Sequence, residues 1–160
     1  LASHLPPTIV NLNELDLSQP YSQTHQFTDE EGELVTVTTS FQPAIKTRGG
    51  SSSNDASAGT WTSSFSGGVL SMSYMFDLEK KNSQWVISNA RNHSYSGLFI
   101  SFSDPKLSIS RSTSTANFPA EINASVNMKV FDNQWITFYE VTGIMYTQVT
   151  SGGTMTLYWN

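Results

Sequence analysis

The sequence predicts an all-β fold, an antiparallel β-sandwich or flattened β-barrel of about 8–10 strands. Three observations lead there. Apolar and polar residues alternate with a period of two along most of the chain. Apolar residues at helical spacing are nearly absent. Short turns built from Gly, Asn, Asp and Ser separate the alternating runs.

The first twenty residues form an N-terminal segment. Within it, only Leu12, Leu15 and Leu17 fall near helical spacing, between Pro7 and Pro20, which leaves room for one turn at most. Gln23 to Phe27 and Glu33 to Phe41 flank the acidic turn Asp29-Glu30-Glu31-Gly32 and read as a hairpin. Val35, Val37, Thr39 and Phe41 share one face of its second arm, and Pro43 ends it. Residues 44–58 contain Arg48-Gly49-Gly50-Ser51-Ser52-Ser53-Asn54 and read as a flexible Gly/Ser-rich loop. The loop lacks the spacing and the Lys of a phosphate-binding motif, and no helix follows it.

Thr60 to Ser66, the Gly67-Gly68 turn and Val69 to Lys80 make the next hairpin. Leu70, Met72, Tyr74, Phe76 and Leu78 share a face. A turn over Lys80-Lys81-Asn82-Ser83 leads into Gln84 to Ala90. Leu98, Ile100 and Phe102 alternate next, and Asp104-Pro105 breaks them from Leu107 and Ile109. The clearest strand runs from Ile122 to Val130. Its Ile122, Ala124, Val126, Met128 and Val130 are expected inside, and its Asn123, Ser125, Asn127 and Lys129 outside. Asp132-Asn133 turns it into Trp135 to Val149, where Gly143 is expected to mark a bulge or bend. Ser151-Gly152-Gly153 then leads into Thr154 to Trp159. The 160 residues fit one β domain of this kind, 1–160.

Composition excludes several functions. Net charge is −5 with eight Lys and Arg, which gives no footprint for nucleic acid. No apolar run is long enough for a transmembrane helix. Cysteine is absent, so disulfides, thiolate metal sites and thiol catalysis are excluded. The charged fraction is only 13%, and Ser and Thr fill the gap.

No catalytic set assembles. His4, His25 and His93 are far apart and show no paired metal-ligand spacing. Asp29, Glu30, Glu31 and Glu33 crowd one turn but lack the spacing of a calcium loop, so a solvated hairpin tip is the expectation. Glu121 and Glu140 fall on strands and could in principle supply the two carboxylates a glycosidase needs, but chance placement on the solvated face is the better explanation. Serine hydrolysis finds no Gly-x-Ser-x-Gly. The expectation is a protein that is not an enzyme, with no cofactor and no metal.

The four tryptophans, Trp61, Trp85, Trp135 and Trp159, lie in or beside expected strands. In a chain with few leucines they must supply core. Aromatic rings on a β-sheet also stack on sugars and anchor interfaces. Trp61, Tyr74, Trp85 and Tyr95 are therefore the candidate ligand-binding residues.

Three stretches carry a family resemblance. The first is Gln23-Thr24-His25-Gln26-Phe27-Thr28-Asp29 through Gly32 and the alternating Leu34 to Pro43. The second is Gly59-Thr60-Trp61 with Leu70-Ser71-Met72-Ser73-Tyr74. The third is Ser151-Gly152-Gly153-Thr154-Met155-Thr156-Leu157. Together they resemble an uncharacterised family of small secreted all-β proteins from Gram-positive gut bacteria, a domain of unknown function. The resemblance implies secretion and an all-β fold, and it assigns no functional residue. The chain opens on Leu1-Ala2-Ser3-His4-Leu5-Pro6-Pro7 without an initiator Met. It reads as a mature or trimmed terminus lacking its signal peptide, or equally as a boundary set by cloning.

The functional expectation is a secreted or cell-surface binding domain whose partner is a glycan or a protein surface. Two alternatives stand beside it. One is a lipocalin-like carrier of a small apolar ligand, with Met72, Tyr74, Phe76, Met128 and Met145 turned toward a pocket. The other is a pore-forming secreted protein that rearranges Glu33 to Phe41 or Lys106 to Thr115 into a membrane barrel.

Overall fold

Side chains two apart on a strand point the same way, so each alternating run presents one apolar face that must be covered. The computed structural model describes residues 6–29, 32–44, 58–68, 70–131 and 137–159. They form β1 (Thr8–Asn11), a 3-10 turn at Leu12–Glu14, β2 (Tyr21–Thr28), β3 (Leu34–Pro43), β4 (Gly59–Gly67) and β5 (Leu70–Lys81). Then follow β6 (Gln84–Gly97), β7 (Ile100–Arg111), β8 (Ala120–Phe131), β9 (Thr137–Val149) and β10 (Thr154–Trp159).

The strands make two antiparallel five-stranded sheets, ordered β2-β3-β4-β5-β6 and β1-β10-β9-β8-β7. The fold is a sandwich, not a closed barrel. Both seams stay open for physical reasons. At one corner β6 and β7 carry left-handed residues at Asn89, Asn92 and Asp104, and each strand slips register against its inner neighbour, so no ladder forms between the two. At their far ends Ile87 N donates to Ser112 O at 2.7 Å and Ser114 N to Trp85 O at 2.9 Å. At the other corner β1 offers just four residues, and they pair with β10.

Between the sheets lies one apolar cluster. Val35, Val37 and Phe41 from β3, Trp61 and Phe65 from β4, and Leu70 to Leu78 at alternate positions of β5 meet the inward residues of β8, β9 and β10. Phe65 stacks on Trp159 across the gap with ring centroids 4.0 Å apart. The buried Tyr74 hydroxyl bonds the Thr147 hydroxyl of the opposite sheet, and burial raises the Tyr74 pKa. Such a contact satisfies two polar groups that would otherwise be stranded in the core.

β8 lies between β7 and β9, and its Ile122, Ala124, Val126 and Met128 are buried. Val130, expected inside with them, is half-exposed because it sits near the strand's end. Four other expectations change. Asp104-Pro105 does not end a strand: β7 runs through it by bulging, with Asp104 at φ 52°. β6 likewise continues past Ala90 to Gly97 across Asn89 and Asn92. Leu98 joins the turn with Phe99 and is 67% exposed, so it does not alternate with Ile100. Gly143 lies in unbroken register with Val126 and marks no bulge. Its reason is space, since a Cβ there would stand 2.7 Å from the Met128 methyl.

Most of the Gly/Ser-rich loop, the Glu30-Glu31 tip, the Asp132-Asn133 turn, His4 and Trp135 lie outside the described residues.

Candidate functional site

Among the described residues the inner faces pack into one core cluster, which leaves the two outer faces and the sheet edges toward solvent. The sequence-predicted aromatics divide accordingly. Trp61, Tyr74 and Trp85 are at most 2% exposed and belong to the core, so none of them has a ring face to offer from outside. The physical reason is parity: each occupies an inward position of its strand, opposite Thr60, Ser73 and Val86. Tyr95 is half-exposed and lies at the β6–β7 corner, its ring centroid 5.0 Å from Phe102 and 5.3 Å from His93. Burial lowers the His93 pKa, and its Nε2 finds no partner among the described residues. The structure therefore does not bring the four together.

It assembles a different group on the outer face of the β7–β10 sheet. Register places Glu121 opposite Gln148 and Asn123 opposite Tyr146 across β8 and β9. Tyr146 in turn lies opposite Tyr158 on β10. The two tyrosine rings stack, with centroids 4.6 Å apart and planes 13° apart, and both are half-exposed. They project outward because Met145, Thr147, Met155 and Leu157 take the inward positions on either side.

Beside the rings is a hydrogen-bonded carboxylate. Glu121 Oε1 accepts from Gln148 Nε2 at 2.8 Å, and Oε2 accepts from the Ser110 hydroxyl at 2.6 Å and Asn123 Nδ2 at 3.4 Å. Asn123 Nδ2 also reaches Ser110 Oγ at 2.9 Å. Partial burial works against ionisation of Glu121. The three hydrogen bonds and the nearby Arg111 charge outweigh it and hold the carboxyl below its ordinary value. Arg111 packs its guanidinium 4.7 Å from the ring of Phe118, which is 56% exposed. Tyr146 is raised by burial first, then by Tyr158 and Glu121.

Further along β8 and β9, Ser103, Asn127, Lys129, Glu140 and Thr142 line a cleft of about 350 Å³. Lys129 and Glu140 pair there at 3.6 Å. Eight strand rises along β8 separate Lys129, and with it Glu140, from Glu121, on the order of 27 Å. Glu121 and Glu140 are thus too far apart to flank one glycosidic bond, which needs roughly 5–9.5 Å.

The sequence reading missed Tyr146, Tyr158, Gln148, Asn123 and Ser110 as a site. The signal was available for the tyrosines. Each sits at an outward position of a strand whose inward positions are apolar or small, and a large ring there has no core to fill. Their convergence with Glu121 depends on register across β7, β8, β9 and β10, which sequence spacing does not encode.

No family model matches the chain, and no curated protein does. Among solved structures, it resembles a hypothetical protein from Listeria monocytogenes EGD-e with a TM-score of 0.50 at 14% identity, over 87% of this chain and 95% of that one. At that identity the likeness is one of fold.

Proposed function

We propose that this chain is a non-catalytic, extracellular binding domain whose outer β7–β10 face takes a glycan. The observation that carries the reading is the exposed Tyr146–Tyr158 pair beside the oriented Glu121–Gln148–Asn123–Ser110 cluster. Sugar rings present one apolar C–H face and a rim of hydroxyls. Aromatic rings receive the face, and a fixed carboxylate flanked by amides exchanges hydrogen bonds with the rim. A rigid sheet holds these groups in place, so little ordering entropy opposes binding. The two alternative functions draw no such support. Met72, Tyr74, Phe76, Met128 and Met145, the residues a carrier would turn to its ligand, pack within the core cluster. Glu33 to Phe41 falls mainly on β3, paired on both sides by β2 and β4, and Lys106 to Thr115 mainly on β7, paired with β8, so a pore would require breaking the ladders of whichever segment left the sandwich.

A glycan array followed by calorimetric titration of the best ligand tests the reading. The expected result is a saturable hit that Tyr146→Ala weakens about thirtyfold while the melting temperature holds. An array without hits, or a ligand indifferent to Tyr146→Ala, overturns it.

A further inference from the structure

Sheet edges expose unpaired N–H and C=O groups, and proteins that stay monomeric guard them with bulges, prolines, charges or brevity. The sandwich has four edges, β1, β2, β6 and β7. Three are guarded. β1 is four residues long and follows Pro6-Pro7. β6 bulges at Asn89 and Asn92 around Arg91. β7 bulges at Asp104 and carries Pro105, Lys106 and Arg111. β2 has none of these devices. Its eight residues, Tyr21-Ser22-Gln23-Thr24-His25-Gln26-Phe27-Thr28, pair with β3 in unbroken register. They include no Pro, Gly, Lys, Arg, Asp or Glu, and no residue of β2 has a positive φ. Among the described residues no backbone hydrogen bond reaches its outer edge.

We infer that β2 is an interaction edge, and that its partner is β2 of a second copy of this chain, paired antiparallel about a twofold axis through Thr24. The strand is self-complementary in that register. Antiparallel pairing centred on Thr24 sets Tyr21 opposite Phe27 at both ends, Gln23 opposite His25, and Ser22 opposite Gln26. Every pair joins residues of one face. The aromatic pairs fall on the inward-leaning face, where Tyr21 and Phe27 already pack partly against the core. Aromatic cross-strand pairs stabilise such ladders, and no like charges meet at neutral pH. An isologous interface closes on itself, so pairing stops at the dimer instead of running on as a fibre. It would join two five-stranded sheets into one of ten. One strand pair is a small interface, which places the equilibrium in roughly the micromolar to sub-millimolar range.

Sedimentation velocity on the full chain across that range tests the proposal, together with two variants. Thr24→Lys sets two ammonium groups against each other on the twofold and should raise the dimer dissociation constant about tenfold or more. Thr24→Cys gives this cysteine-free protein one thiol, and directly opposed strand residues lie within disulfide reach, at about 4.5–5.5 Å between Cα atoms. Mild oxidation should therefore cross-link Thr24→Cys into a dimer but leave Thr38→Cys, on the covered neighbouring strand, monomeric. If Thr24→Lys proves unfolded by its circular dichroism, the cross-link decides. A chain that stays monomeric to about 500 μM overturns the proposal. So does a dimer that survives folded Thr24→Lys, or one that does not cross-link through residue 24.

Discussion

The two outer faces of this sandwich are built on the same plan and carry opposite chemistry. On the β2–β6 sheet, register lines up Thr24, Thr38, Ser64, Ser73 and Ser94 in one rung and Gln26, Thr36, Ser66, Ser71 and Ser96 in the next. Ser and Thr at their centre line a shallow groove of about 200 Å³. The hydroxyls bond one another loosely, as Thr24 to Thr38 and Ser71 to Ser66, both at 3.3 Å. On the β7–β10 sheet the same kind of rung holds Tyr158, Tyr146, Asn123 and Ser108, with Glu121 and Gln148 beside it. A rotating hydroxyl hydrates well and specifies little. A locked carboxylate next to a ring specifies orientation. Amphipathic alternation thus makes both faces wet, and side-chain identity makes only one of them selective.

The largest effect tests the alternation on which both faces rest. Val126 is 1% exposed at the middle of β8, whereas Ser125 points outward beside it. Val126→Asp removes a buried side chain that contributes roughly 1.5–3 kcal/mol and strands a charge in the core, so it should unfold the protein. Ser125→Asp should move the melting temperature by no more than a few degrees. Equal destabilisation in a thermal melt would mean that both sides of β8 are buried.

The next effect separates the faces by binding. Truncating a central aromatic anchor typically costs about 2 kcal/mol, close to thirtyfold in affinity. Tyr146→Ala and Tyr158→Ala should each reach that size in a titration, with the fold intact by near-UV circular dichroism. Retained affinity in both variants would move the binding site off this sheet.

Much of this architecture was legible in the chain and some was not, for identifiable reasons. Ile122 to Met128 read correctly because four apolar residues in strict alternation admit one register. Trp61, Tyr74 and Trp85 were candidates on ring chemistry, whereas their inward parity decided for core. The continuation of β6 and β7 was hidden because Asn89, Asn92 and Asp104 break the period of two while the strand goes on. The candidate site was hidden more deeply. Ser110, Glu121, Tyr146 and Tyr158 come from four strands, and only the ladder brings them together.

A smaller, pH-dependent effect belongs to Glu121 alone. Its folded pKa is depressed, because the bonds from Ser110, Gln148 and Asn123 and the Arg111 charge favour the ionised form. Its stabilising contribution is therefore present above the unfolded value of about 4.3 and lost as pH falls through the folded value. Solvent exposure keeps that contribution modest. Ligand affinity should be level from about pH 5 to 8 and weaken only below the ordinary Glu range. Glu121→Gln should weaken binding less than Tyr146→Ala does and flatten the acid limb of the melting curve. An affinity that instead falls between pH 6 and 7 would implicate a histidine.

The smallest expected effect is on the hydroxyl face, and it completes the comparison. Ser64 and Ser73 lie side by side at the centre of the β2–β6 sheet, half-exposed. Ser64 donates to the Thr38 carbonyl at 3.4 Å, a long bond that water replaces at little cost. Removing both hydroxyls leaves no buried group unpaired and opens no cavity, since Ala keeps the Cβ. Ser64→Ala with Ser73→Ala should change stability by within about 0.5 kcal/mol. Glycan affinity should stay within about twofold, less than 0.5 kcal/mol. If this double variant lost the ligand as fully as Tyr146→Ala does, selectivity would reside in the hydroxyl rungs, and the roles assigned to the two faces would have to be exchanged.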